Sequence, residues 1–86
     1  MSITIKLQFP ITDGNGNEVG EVILRRPKVK DLRQVANQSK DNQPSVELEV
    51  QMISRLTGLL PEDVDALDMA DYTKIQEQAQ AMMSGN

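Results

Sequence analysis

Ile3, Ile5, Leu7 and Phe9 alternate with Thr4, Lys6 and Gln8 at the start of the chain, and this period of two constrains the fold most. It sets the apolar side chains on one face of a half-buried strand and the polar ones on the other. Asp13-Gly14-Asn15-Gly16-Asn17 follows, a run dense in residues that tolerate positive φ. Beyond it Val22 and Leu24 share one face while Ile23 points the other way, so a second strand is expected from about Val19 to Arg25. Residues 3–25 therefore read as a β-hairpin with a somewhat long turn.

The chain from 27 to 83 reads as helical. Pro27 favours a helix start, and Val29, Leu32, Val35 and Ala36 form an apolar stripe ending near Asn37. Gln38 to Gln43 is wholly polar and reads as a loop. Pro44 or Ser45 opens a second helix with Val46, Val50, Ile53 and Leu56 or Thr57 inward, widened by Leu48 and Met52, and Gly58 is placed to stop it. A short helix is expected from Pro61 to about Leu67, and Asp68 with Asp71 resembles a cap for a last helix. Ser84-Gly85-Asn86 should fray. The expected fold is α+β, an N-terminal hairpin with three to four short helices packed on one face, as one domain spanning 1–86.

Composition narrows the chemistry. A chain of 86 residues leaves no room for a second core. Phe9 and Tyr72 are the only rings, so the core must be aliphatic, with little material to shape a deep pocket. Cysteine and histidine are both absent, which removes thiolate nucleophiles, thiolate metal sites, and the commonest general base and transition-metal ligand. The expectation is a surface binder without catalytic residues, cofactor or metal. The alternating N-terminus argues against a signal peptide, and no stretch approaches the roughly 18 apolar residues of a membrane span. A cysteine-free chain suits a reducing cytoplasm.

Charge is uneven along the chain. Residues 1–43 hold seven Lys or Arg against five Asp or Glu, a net +2, and residues 44–86 hold two against eight, a net −6. Arg25, Arg26, Lys28, Lys30 and Arg33 crowd into nine residues answered only by Asp31. With no aromatic interleaved for base stacking, and an acidic other half, this stretch reads as a solvated surface or as a docking patch for an acidic protein or the acidic half of a second copy of the chain, ahead of a nucleic-acid contact. Asp13-Gly14-Asn15-Gly16-Asn17-Glu18 begins like a calcium loop but has Glu18 where Gly is required and Leu24 where the bidentate Glu belongs, so it reads as a turn. Glu62, Asp63, Asp65, Asp68 and Asp71 fall mostly in helix first turns, where capping, dipole interaction and solvation account for them. Met52, Met69, Met82 and Met83 fit either a small core or an adaptable groove, with Met83 the one most expected at the surface.

Taken together, Leu24-Arg25-Arg26-Pro27-Lys28-Val29-Lys30-Asp31-Leu32, Ile53-Ser54-Arg55-Leu56-Thr57-Gly58-Leu59-Leu60-Pro61-Glu62-Asp63-Val64 and Leu67-Asp68-Met69-Ala70-Asp71-Tyr72 form a recognisable order behind the hairpin. From about Ile3 to Met82 the chain resembles the small tail assembly chaperones of contractile-tailed phages and prophages, the Mu-like and related type. The resemblance implies a non-enzymatic protein of the bacterial host cytoplasm, absent from the mature virion. Such a protein binds the tape-measure protein and keeps it from aggregating until the tail tube polymerises around it. It also implies partners in a frameshifted longer form of the chain and in the tail tube protein. On this reading Tyr72, Ile75, Ala79 and Met82 of the last helix form the contact face, with Arg25, Arg26, Lys28, Lys30 and Arg33 steering the client. The rival readings are a structural tail or baseplate component and a small nucleic-acid-associated regulator.

Overall fold

A computed structural model describes residues 2–38 and 45–85. Strand β1 (Ser2–Thr12) pairs antiparallel with β2 (Glu18–Arg25), and four helices follow: α1 (Val29–Gln38), α2 (Ser45–Thr57), α3 (Pro61–Asp65) and α4 (Met69–Met83). The expected hairpin and α+β class are present. Most of the polar spacer from Gln38 to Gln43, together with Pro44 and Asn86, lies outside the described residues.

The turn forms as its residues dictate. The Asp13 carboxylate accepts from the backbone N–H groups of Asn15 and Asn17, both at 2.9 Å, and Gly16 takes φ 84°, where a side chain would be strained. Ile5, Leu7, Val22 and Leu24 turn one face inward, and Ile23 lies exposed on the other. The alternation breaks at Phe9, which is 49 % exposed, and Ile11 replaces it in the core at 7 %. The reason is a bulge. Between the Lys6–Glu21 and Ile11–Val19 pairs, five steps along β1 are set against two along β2.

Asp71 holds that bulge. Its carboxylate, 1 % exposed, accepts from the backbone N–H of Gln8 at 2.9 Å and of Phe9 at 3.0 Å. Asp63, also buried, accepts from the N–H of Gly14 at 3.1 Å. The expectation that the helix acids serve local caps and solvation is thus corrected for these two: each reaches back to the hairpin, Asp71 to amides of a strand that has left its partner and Asp63 to an amide of the turn, since backbone N–H groups without a ladder partner need other acceptors. Asp68 does cap α4, accepting from Ala70 N–H at 2.9 Å, and Glu62 and Asp65 are exposed as expected.

Helix α2 lies on β2 and α1, and α4 lies on β1, so Ile53, Leu56, Val64, Leu67, Ile75, Ala79 and Met82 close over the inner face of the hairpin. Gly58 ends α2 at φ 78°, with its N–H on the Ser54 carbonyl. Two expected inward positions differ: Val46 is exposed and Val50 half-buried, since only the C-terminal half of α2 reaches the centre. Helix α3 stops at Asp65, short of Leu67. Ser84 and Gly85, expected to fray, form a turn in which their N–H groups bond the carbonyls of Gln80, Ala81 and Met82.

Replacing Asp71 by Ala removes the acceptor from two backbone amides at once and should cost about 2–4 kcal/mol, against about 1 kcal/mol for Asp68→Ala at an exposed cap. Urea unfolding followed by circular dichroism measures the difference between the two variants.

Candidate partner-binding surface

Helix α1 departs most from its sequence pattern. Val29 and Leu32 are 73 % and 61 % exposed, Ala36 is exposed, and only Val35 of the expected stripe is buried. Asp31 takes the inward position at 0 % exposure. It accepts from the Lys28 N–H at 2.9 Å while its own N–H bonds the Lys28 carbonyl, a reciprocal closure of the helix start. Pro27 therefore precedes the helix instead of lying in its first turn. The same carboxylate receives both terminal nitrogens of Arg25, at 2.8 and 2.6 Å, and the Arg55 guanidinium at 3.1 Å. An acid with three such partners must face inward, and α1 is rotated accordingly.

These contacts fix the charge state. Hydrogen bonding from Arg25 holds the Asp31 carboxyl well below the usual carboxylate range, overcoming the opposing effect of burial, and Lys28 N–H and Arg55 add to it. The Arg25 guanidinium is raised in turn by its bond to Asp31.

Rotating α1 leaves Val29 and Leu32 on the rim of an open groove of about 320 Å3. Met52 of α2 and Met82 and Met83 of α4 line it, with Arg26 and Lys28 at one edge. Met83 is 59 % exposed, as the sequence suggested, and Met82 is a buried floor at 8 %. Arg26 and Lys28 also line an adjoining cleft of about 400 Å3 with Arg25, Lys30, Arg55 and Ser2. Away from that cleft, Met52 and Met83 continue into a smaller space of about 140 Å3 between α2 and α4 that Glu49 and Gln76 border. The three spaces are contiguous through shared walls.

Four of the five cations read as a steering patch thus meet in the basic cleft, while Arg33 lies exposed on α1 outside it. Arg55, distant in sequence, joins them, and its one sign in the sequence is that it is the sole cation of α2, placed in the last turn. The expected contact face of α4 is placed otherwise. Ile75, Ala79 and Met82 are 0 %, 3 % and 8 % exposed and belong to the chain's own core, because α4 is the layer that covers β1. A partner reaching Ile75 would have to displace that core, while Met82 also lines the groove and Ala79 the space beside it. Tyr72 is half-buried beside Val46, Val50 and Met69, and burial together with the Glu49 charge raises its phenol pKa. Among the described residues no group of three or more Asp or Glu is arranged to hold a metal ion, and no helix is long and apolar enough to cross a membrane.

The hairpin backed by helices thus carries an apolar groove with a charged flank, and comparison with known families gives the kind of protein. The family described as phage tail assembly chaperone proteins, E, or 41 or 14, matches residues 4–84. The chain belongs to this family. No curated protein and no solved structure matches it significantly.

Asp31→Asn should cost about 2–3 kcal/mol at pH 7, less than the 3–5 typical of a broken buried pair because both guanidinium groups reach solvent. A carboxyl with a depressed pKa contributes its stability above the unfolded-state value near 3.9 and loses it as pH falls below that. The stability gap between wild type and Asp31→Asn should therefore narrow between about pH 4 and pH 2, as denaturant midpoints across that range will report. In a separate comparison, Ile75→Ala should lose about 2–5 kcal/mol, while Leu32→Asp should stay within about 0.5 kcal/mol of wild type.

Proposed function

We propose that this tail assembly chaperone acts without chemistry of its own. It binds the tape-measure protein and shields its apolar helical surface until the tail tube assembles around it. Membership of the family carries the reading, and the groove between α1, α2 and α4 supports it. Helix capture needs an apolar trough with adaptable walls, and methionine supplies these through three rotatable bonds and a polarizable sulfur. The trough is shallow and open, which suits a client that must later be handed on. Work of this kind belongs in the host cytoplasm, before the virion is complete. A frameshifted longer form of the chain and the tail tube protein are its further proposed partners.

Co-expression with the tape-measure protein of the same genome tests the reading. Wild type should keep the client in the soluble fraction and co-purify with it. Leu32→Asp combined with Met83→Asp should abolish co-purification while leaving the circular dichroism spectrum and unfolding midpoint unchanged, since both side chains are exposed. A client that stays insoluble beside wild type and beside the extended form would sink the proposal.

A further inference from the structure

The groove has two differently charged ends. At one lies the cleft of Arg25, Lys28, Lys30 and Arg55, whose neighbouring acid Asp31 is fully buried and already committed to two guanidinium groups. At the other lies Glu49, exposed and bordering the space that Met52 and Met83 share with the groove. Apart from Arg26 and Lys28 on the side of the basic cleft, the groove is lined by Pro27, Val29, Leu32 and methionines, with no acid among its residues. A bound helix is itself polar along its axis, positive at its N-terminus and negative at its C-terminus, where unsatisfied carbonyls project.

We infer that the groove accepts a client helix in one direction only. The C-terminal end, with acidic side chains in its last turn, lies over Lys28 and Lys30, and the N-terminal end lies toward Glu49. Apolar side chains spaced along one face fill the trough between Leu32, Met52 and Met83. The reverse orientation sets the positive helix end over the cations and the negative end against Glu49, so each terminus is repelled. Direction is thus selected by the fields at the ends, while the apolar middle supplies contact area without preference. The inference rests on the groove being the client site.

Two stapled peptides of roughly 18 residues, equal in helicity and apolar stripe, make the test. One carries a Glu pair in its last turn and a Lys pair in its first, and the other has these pairs exchanged. Fluorescence anisotropy at low ionic strength should show the first binding about five- to tenfold more tightly, and the difference should shrink at high salt. Lys28→Glu with Lys30→Glu should abolish or invert the preference. Equal affinity of the two peptides, with both lost in Leu32→Asp, would overturn the directional inference and leave the groove as the client site. Failure of both peptides while the tape-measure protein still co-purifies would place the client on another face. Failure of peptides and client together would remove the proposed function as well. A wild-type dimer in sedimentation that Leu32→Asp dissociates would assign the groove to a second copy of the chain and overturn the inference.

Discussion

One carboxylate ties three elements together. Asp31 closes the start of α1 on Lys28, grips Arg25 at the end of β2, and receives Arg55 from the last turn of α2. A chain of this size buries a modest fraction of its surface and has few apolar contacts to spare, so a multivalent polar contact at the junction of strand and helices has unusual weight. It also determines what the outside looks like. With Asp31 turned inward, the apolar side chains on its flanks have nowhere to go but the surface, and the groove exists because of that rotation.

The remainder of the molecule is economical. Two strands offer one apolar face, and α2 and α4 cover it with Ile53, Leu56, Ile75 and Ala79, without an aromatic residue in the buried cluster. Methionine lines the seam between α2 and the end of α4. A seam lined by long, flexible methionine side chains is one that can reshape around a ligand.

Much of this was legible in the residues. The hairpin, its turn, the stop at Gly58 and the Asp68 cap all follow from local chemistry that acts over a few positions. What stayed hidden depends on contacts between distant segments. The periodicity of Val29, Leu32 and Val35 describes a helix correctly but does not say which side faces in, and a distant arginine at position 55 decided that through Asp31. Asp63 and Asp71 look like first-turn acids by position, and only the folded hairpin reveals that their partners are amides 49 to 63 residues away, Gly14 in the turn and Gln8 and Phe9 at the bulge. The α4 residues Ile75, Ala79 and Met82 carry an apolar stripe that reads equally as core or as contact face, and the thin sheet needed it as core. For the surface, the basic cluster was visible, whereas its adjacency to the methionine groove arises only from folding.

The bulge in β1 bears on a hazard peculiar to small sheets. A two-stranded hairpin has no interior strand, so each strand presents a free edge on which another polypeptide can nucleate cross-β growth. In β1 the amides of Gln8 and Phe9 are already taken by Asp71, and Pro10 beside them has no amide to offer. The longest strand is thereby spoiled as a template in its middle, at the cost of one buried carboxylate. For a protein proposed to work among exposed apolar clients, resistance to being recruited into their aggregates is as necessary as the ability to bind them.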